Sequence, residues 1–151
     1  MTIISVRDLT LNNFYKCINL KLREEQEKQI VSNLYSIGES KVNPCYTPYV
    51  IHLGEEVIGF VMTDYDPSLE DKNKYWVPRM MIDDRFQGKG YGQEAMKIII
   101  ERLSLNEDCN YIRLSTEPTN INAIKFYESL GFKNTGELLE ESEIILEYSI
   151  L

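Results

Sequence analysis

The stretch DRFQGKGYG at residues 84–92 constrains the fold of this chain most, because three of its last five residues are glycine. A strand pattern at residues 76–82 precedes it, and apolar residues recur at helical spacing after it. The predicted helix covers residues 90–103 and places Ala95, Met96, Ile99, Ile100 and Leu103 on one face. A strand that enters a helix through a glycine turn predicts an α/β unit.

A glycine turn at the start of a helix is suited to an anionic ligand. Glycine lets a ligand approach the backbone closely, and the first helical turn has unpaired N–H groups and a partial positive charge. The stretch therefore predicts a phosphate site. It matches neither of two familiar loops, since the chain lacks GxxxxGK[ST] and has Gln93 where a GxGxxG loop needs its third glycine.

The rest of the pattern predicts one mixed α/β domain over residues 1–151. Strands are predicted at residues 3–6, in a hairpin formed by YVIHL and VIGFVMT, at residues 111–116, and on both sides of a turn near Glu140. Further helices are predicted from Thr10 to about Leu22, from about residue 24 to 37, and over residues 121–130, where Gly131 ends the helix. The second half implies a partly parallel sheet, and the hairpins imply antiparallel pairing elsewhere.

Composition and charge exclude several classes of function. The net charge of −8 disfavours nucleic-acid binding, and no apolar run is long enough to predict a membrane span or a signal peptide. Three widely spaced cysteines without a CxxC pair predict free thiols and a cytoplasmic location. His52 is the single histidine and lies in a strand pattern, so neither a histidine-based metal site nor a Ser-His-Asp triad is expected.

Two motifs together resemble one known family. Arg85, Gly88 and Gly90 form an R-x-x-G-x-G motif, and residues 120–132, NINAIKFYESLGF, are similar to an NxxAxxxYxxxGF motif. Both are typical of the GCN5-related N-acetyltransferases (GNAT), and they occur here in the order and spacing of that family. The resemblance extends over nearly the whole chain. It implies a single-domain GNAT fold: a mixed, mostly antiparallel, twisted sheet of six to seven strands with about four helices.

The resemblance also implies acetyl-CoA as the cosubstrate and no metal. The strand segment from Met80 to Ile82 would pair with the pantetheine arm, and Asn120 would contact the arm from the other side. The pyrophosphate would be held by backbone N–H groups of the glycine turn and the first helical turn: Gln87, Gly88, Lys89, Gly90, Tyr91, Gly92 and Gln93. The block of residues 72–133 that contains this turn has 10 Lys+Arg against 8 Asp+Glu, which agrees with an anionic ligand.

The implied reaction is direct attack of an amine on the thioester through a tetrahedral intermediate. A backbone N–H near Ile82 would stabilise the oxyanion, and Tyr127 would give a proton to the leaving thiolate. An alkylamine with a pKa near 10.4 also has to lose a proton, which costs roughly 4–5 kcal/mol at pH 7. The strand before the glycine turn lacks the glutamate that some relatives use as a base, and Ser115 stands where others place one on the next strand. Glu117 is the nearest carboxylate and the candidate base. The alternatives are that it is an ordinary surface residue or that it pairs with Arg113.

Residues 22–92 resemble bacterial spermine/spermidine N-acetyltransferases: LREEQEKQIVSNLYSIGES is followed by a hairpin ending VIGFVM and by a strand leading into IDDRFQGKGYG. In that subgroup the first two helices border the acceptor groove, which makes Glu24, Glu25, Gln26 and Glu39 candidate contacts for a polyamine. Asp64, Asp66 and the glutamates after Glu137 would lie nearby. An acidic groove would attract a polycation by long-range electrostatics.

Two other functions stay open from the sequence. One is a GNAT acetyltransferase that acts on another amine, such as an amino acid, an aminoglycoside or a protein N-terminus. The other is a CoA-binding sensor without turnover. The expected partner is a small cationic amine, with no nucleic acid or membrane partner. The resemblance also implies a possible homodimer, because the last two strands commonly take part in dimers in this family.

Overall fold

The computed structural model describes residues 3–27 and 31–151. The chain packs as two compact units, one formed by Met1–Thr63 and Arg79–Ile99 and the other by Asp64–Pro78 and Ile100–Leu151. Each unit is considered by itself below.

Seven strands form one sheet in the order β1-β2-β3-β4-β5-β7-β6. The strands are β1 (Ile4–Asp8), β2 (Tyr46–Leu53), β3 (Glu56–Tyr65), β4 (Tyr75–Ile82), β5 (Tyr111–Thr116), β6 (Lys133–Leu139) and β7 (Glu143–Ser149). Strands β4 and β5 run parallel, with Trp76 opposite Arg113, whereas β1 and β2, β5 and β7, and β6 and β7 pair antiparallel. The predicted mixed, mostly antiparallel α/β sheet of six to seven strands is confirmed.

Five α-helical segments lie in the described part of the chain, one more than predicted. They are α1 (Leu11–Ile18), α2 (Glu24–Glu27), α3 (Asn33–Val42), α4 (Tyr91–Ser104) and α5 (Ile121–Ser129), and short 3-10 helices occur at Asp71–Asn73 and Asp84–Phe86. The single helix predicted over residues 24–37 is wrong. Ser32 has extended backbone and its side chain accepts a hydrogen bond from Tyr35 N, so a new helix, α3, begins there.

Helix α1 also ends four residues before the predicted Leu22. The Asn19 side chain donates to Tyr15 O at 2.8 Å, and Leu20 N donates to Cys17 O at 3.3 Å, which satisfies carbonyl groups at the end of the helix. Leu20 and Leu22 instead pack against the core of the first unit. Leu22 belongs to the core as predicted from its spacing, but it reaches the core from a non-helical segment.

The core of the first unit packs α1 and α3 against the sheet. Cys17, Val50, Phe60, Met62 and Met81 are buried together, and each fully buried apolar side chain stabilises the fold by about 1.5–3 kcal/mol. Gly59 lets β3 and β4 approach each other closely, because a Cβ atom at this position would lie 2.6 Å from Met81 O. The five apolar residues predicted on one face of α4 are all buried.

Turns that the sequence predicted from glycine take the expected backbone. Gly131 follows α5 with φ +106°, and Gly54 lies in the β2–β3 hairpin turn with φ +60°. The turn near Glu140 is also confirmed, but Glu140 and Glu141 both adopt positive φ, 50° and 63°, without glycine. All three cysteines are free, and burial raises the pKa of Cys17 to about 12 and that of Cys109 to about 11.

His52 is buried on β2, as its strand pattern predicted, with 5% of its surface exposed. Its Nε2 lies 3.4 Å from Asn13 Nδ2. Burial lowers the pKa of His52, and Arg7 and Lys16 lower it further, while Glu55 partly opposes them. Protonation therefore favours the unfolded chain.

We expect the free energy of unfolding to decrease as the pH falls below about 6.5, the ordinary histidine pKa, because the unfolded chain binds this proton first. Urea unfolding at pH 7.5, 6.5 and 5.5 measures the decrease. It should be smaller in His52→Gln, whose side chain does not titrate in this range. Equal pH dependence in the two proteins would contradict this role of His52.

Candidate functional site

The turn between β4 and α4 is organised by a buried carboxylate. Asp83 accepts hydrogen bonds from Lys21 N at 2.9 Å, Arg85 N at 3.0 Å and Arg85 Nε at 2.9 Å. Burial opposes ionisation of Asp83, but these hydrogen bonds outweigh it and hold its pKa below the usual range. The Arg85 guanidinium group is therefore engaged by Asp83 and packs over Phe86, with 5.3 Å from its central carbon to the ring centroid.

Two glycines of this turn form an open cradle. Gly88 and Gly90 have φ values of +75° and +85°, and no heavy atom of the described residues lies within 4 Å of a Cβ atom built on either. Helix α4 begins at Tyr91, one residue later than predicted, and Glu94 N donates to Gly90 O at 3.2 Å. In general, the first turn of an α-helix leaves backbone amides that no carbonyl group of the helix accepts. Left-handed glycines, open space and a helix N-terminus fit the pyrophosphate of acetyl-CoA.

Gln87 makes contacts that the sequence did not predict. Its side-chain amide donates to Ile82 O at 2.8 Å and to Gln26 Oε1 at 2.9 Å. Its backbone amide donates to Asp84 O over a long distance of 3.4 Å. Gln87 thus links the end of β4 to α2.

Met80 and Ile82 are half-buried on β4, and Met81 between them points into the core of the first unit. Since successive side chains of a strand point to opposite faces, Met80 and Ile82 share the face away from that core. Both belong to the same unit as the glycine turn. The structure therefore brings the predicted strand and the predicted turn together.

The predicted acceptor residues of the first unit differ in their surroundings. Glu24 is exposed, and the side chain of Glu25 lies outside the described residues. Gln26 is bonded to Gln87, and the Glu39 carboxylate pairs with Arg79 at 3.0 Å. Gln26 and Glu39 would have to give up these partners to bind a cation, whereas Glu24 has no such partner among the described residues.

Residues 21–26 are attached to the glycine turn by four hydrogen bonds. Besides the bonds from Lys21 N to Asp83 and from Gln87 to Gln26, Asp84 N donates to Lys21 O at 2.7 Å and Arg23 Nε donates to Asp84 Oδ1 at 3.0 Å. The segment predicted to contact the acceptor is thus fixed to the segment predicted to contact the cosubstrate. No sequence motif indicated this connection.

In the second unit, Asn120 and Tyr127 lie on the same helix. Asn120 caps α5, and its Oδ1 accepts a hydrogen bond from Ala123 N at 3.2 Å. Tyr127 packs edge-on against Phe126 and Phe132, with ring centroids 5.1 and 5.7 Å away. Burial raises the pKa of Tyr127 to about 12, and within residues 3–27 and 31–151 no hydrogen bond engages its hydroxyl group. The phenol stays protonated at neutral pH and is free to donate.

Glu117 is exposed in the loop after β5. The alternative in which it pairs with Arg113 is wrong for the described residues, because Arg113 is bound to other carboxylates. Arg113 is 3% exposed and donates to Glu137 Oε2 at 2.7 Å and to Glu147 Oε1 at 2.8 Å. The register of β5 against β7 places Glu147 directly opposite Arg113.

Sequence reasoning missed one further contact. Ser115, on β5, donates a hydrogen bond to Glu143 Oε1, on β7, at 2.7 Å. The sequence showed a serine on β5 and glutamates in the last strands, but it could not show that these two residues meet. Among the described residues no cluster of histidine, cysteine and acidic side chains could hold a metal ion, and no helix there is long and apolar enough to span a membrane.

Comparison with known proteins identifies the family. A sequence model of the acetyltransferase (GNAT) family matches residues 5–132. A spermine/spermidine N(1)-acetyltransferase from Bacillus subtilis (strain 168) is 31% identical over 138 residues, which cover 89% of this chain and 91% of that protein.

Two solved structures share the fold. Aminoglycoside acetyltransferase AAC(6')-Ib in complex with coenzyme A superposes with a TM-score of 0.77 at 18% identity and covers 98% of this chain and 95% of its own. The PaiA N-acetyltransferase from Thermoplasma acidophilum, also in complex with coenzyme A, gives a TM-score of 0.68 at 19% identity and covers 97% and 99%. The chain belongs to the acetyltransferase (GNAT) family and is an acetyl-CoA-dependent N-acetyltransferase.

Proposed function

We propose that this acetyltransferase acts on a primary amine of a polyamine such as spermine or spermidine. The observation that carries the proposal is the 31% identity to the Bacillus subtilis spermine/spermidine N(1)-acetyltransferase, which extends over 89% of the chain. We further propose that residues 1–151 act as one N-acetyltransferase domain. Formation of a homodimer through the last two strands remains a prediction.

The distribution of charge supports a cationic acceptor. Residues 1–71 have 6 Lys+Arg against 11 Asp+Glu, a balance of −5, and residues 134–151 have none against 5, again −5. Residues 72–133, with 10 against 8, have a balance of +2. The positive block contains the glycine turn, so an anionic cosubstrate and a polycationic acceptor would each meet the opposite charge.

Asp64, at the end of β3, supports the same proposal. Burial raises its pKa, and the neighbouring Asp66 raises it further. A nearby cation would stabilise the ionised form of Asp64, because its charge offsets both the cost of burying the carboxylate and the repulsion from Asp66. Glu140 and Glu141, the exposed glutamates of the β6–β7 turn, form no ion pair with a cationic side chain of the described residues.

The roles of the individual residues follow the same proposal. Backbone amides of the glycine turn bind the pyrophosphate, the edge of β4 around Met80 and Ile82 orients the pantetheine arm, and Asn120 contacts it. Tyr127 donates to the sulfur atom as it leaves. Glu24, Gln26 and Glu39, together with Glu25, orient the amine.

Thiol release from acetyl-CoA with a panel of acceptors tests the proposal. The panel contains spermine, spermidine, putrescine, lysine, an aminoglycoside and a short peptide with a free N-terminus. We expect kcat/KM for spermine or spermidine to exceed that of lysine and the peptide by at least about 10-fold. Salt screens exposed charges, and the Debye length is about 10 Å at 0.1 M ionic strength. KM for spermine should therefore rise when NaCl is raised from 50 to 500 mM.

Two other results of the acceptor panel would contradict the polyamine proposal. A preference for the aminoglycoside or the peptide would show that the acceptor is not a polyamine, and the acetyltransferase assignment would stand. Binding of acetyl-CoA with no turnover of any acceptor would favour the sensor.

A further inference from the structure

We propose that Glu143, acting through the hydroxyl group of Ser115, accepts the proton that the acceptor amine loses during acetyl transfer. The inference rests on the N-acetyltransferase function but not on the identity of the amine. It assigns the base to a residue other than Glu117, the candidate predicted from the sequence.

The register of two strands creates this pair. Ser115 on β5 lies opposite Ile145 on β7, and Glu143 is two residues from Ile145 on the same face of the sheet. The Ser115 hydroxyl group donates to Glu143 Oε1 at 2.7 Å, a short distance typical of a hydrogen bond to a charged acceptor. Both residues are half-buried, so the pair is partly protected from bulk water.

The pair lies near the carboxyl end of β5, in the unit that also contains α5. Ser115 is the penultimate residue of β5. The chain then leads through a short loop to Asn120 and to α5, which contains Tyr127. The proposed relay and the proposed proton donor thus lie on consecutive elements of the second unit, β5 and α5.

Other carboxylates between residues 111 and 151 are less suited to this role. Glu137 and Glu147 are both bound to the buried Arg113. Four others are exposed to solvent: Glu117, Glu128, Glu140 and Glu141. Within this described segment Glu143 alone is half-buried and accepts a hydrogen bond from a hydroxyl group that can pass on a proton.

The proton transfer is balanced. As the amine nitrogen bonds to the acyl carbon, its N–H bond breaks and the proton moves to Ser115 Oγ. The original Ser115 O–H bond breaks at the same time, and that proton moves to Glu143 Oε1. The serine ends neutral, the glutamate ends protonated, and the glutamate returns its proton to water. The nitrogen becomes strongly acidic as it forms the new bond, so a carboxylate is a competent acceptor.

The test compares five variants, one of which, Glu117→Gln, removes the rival carboxylate. Glu143→Gln keeps the shape and a hydrogen-bond acceptor but cannot take a proton, Ser115→Ala removes the relay, and Ser115→Thr restores a hydroxyl group. Glu128→Gln, exposed on α5 and without an assigned role, is the matched control. Steady-state rates are measured with spermine and with the best non-polyamine acceptor at pH 7–10, and acetyl-CoA binding and melting temperature confirm that each variant is folded.

We expect Glu143→Gln to lower kcat by about 100-fold at pH 7 for both acceptors, as loss of general-base catalysis does. Acceptor KM should change little. The deficit should shrink as the pH approaches 10, because hydroxide in solution can then take the proton in place of Glu143. Ser115→Ala should also lower kcat, Ser115→Thr should recover most of it, and Glu128→Gln should match the wild type.

Three outcomes would overturn the inference. A loss seen only as a higher KM for spermine would make Glu143 an acceptor-binding residue. A large kcat loss in Glu117→Gln with none in Glu143→Gln would assign the proton to Glu117. If the wild type acetylated none of the amines, there would be no acetyl transfer in which Glu143 could accept a proton. Loss of spermine turnover alone would instead contradict the proposed acceptor, since the second acceptor would still report on Glu143.

Discussion

Replacing Tyr127 by phenylalanine is expected to lower kcat by about 100-fold, the effect of removing a general acid. The departing sulfur develops negative charge, and a hydrogen bond from the phenol stabilises it only in the transition state. KM for acetyl-CoA should change little, because the ring and its packing against Phe126 and Phe132 remain. The fold should also remain, since the Tyr127 hydroxyl group makes no hydrogen bond among the described residues.

The raised pKa of Tyr127 also predicts how kcat of the wild type and of Tyr127→Phe depends on pH. Burial raises this pKa to about 12, so the phenol keeps its proton throughout the pH range 7–10. Ionisation of Tyr127 should therefore cause no fall in wild-type kcat within that range. In the phenylalanine variant the kcat deficit relative to the wild type should stay nearly constant with pH, unlike the deficit of Glu143→Gln.

Tyr148 provides a matched control. Its ring packs against the same Phe132 with centroids 5.5 Å apart, but it lies on β7 and has no proposed catalytic role. Tyr148→Phe should retain wild-type kcat. Equal losses in the two variants would point to packing of the aromatic cluster, and full activity of Tyr127→Phe would assign protonation of the sulfur to another group. Single-turnover rates measured after mixing enzyme, acetyl-CoA and acceptor separate chemistry from product release.

Replacing Gly90 by alanine is expected to weaken acetyl-CoA binding by roughly 10- to 100-fold, the loss of one hydrogen bond to a charged group. At φ +85° an alanine is strained by about 1–2 kcal/mol, and relief of that strain would turn the neighbouring amides away from the phosphates. The added Cβ atom would also project into the open space of the cradle. Isothermal titration with coenzyme A measures the affinity directly.

Gly136→Ala is a control that distinguishes the effect of backbone strain from the effect of a lost ligand contact. It has nearly the same backbone, φ +80°, and the same open space around a Cβ atom, but it lies on β6 in the second unit. Gly90→Ala and Gly136→Ala should lose similar free energies of unfolding. Only Gly90→Ala should lose affinity for coenzyme A. If both variants bind coenzyme A as the wild type does, the glycine turn is not the phosphate site.

Local sequence determined much of this protein. The glycine turn, α4 with its five buried apolar residues, the end of α5 at Gly131 and both hairpin turns follow from residues close together in the chain. They could be predicted because helix periodicity, glycine backbone freedom and turn preferences act over a few residues. The two motifs identified the family for the same reason, since each lies on one turn or one helix.

Only the tertiary structure decided which distant side chains meet. Ser115 and Glu143 are 28 residues apart, Arg113 and Glu137 are 24 apart, and Gln26 and Gln87 are 61 apart. Strand alternation gives the face of each side chain, but a shift of one residue in pairing would reverse it. The break between α2 and α3 likewise depended on the cap at Ser32, where a local hydrogen bond overrode apolar spacing. The sequence thus determined the fold class and the cosubstrate turn, and strand register determined the proposed proton path.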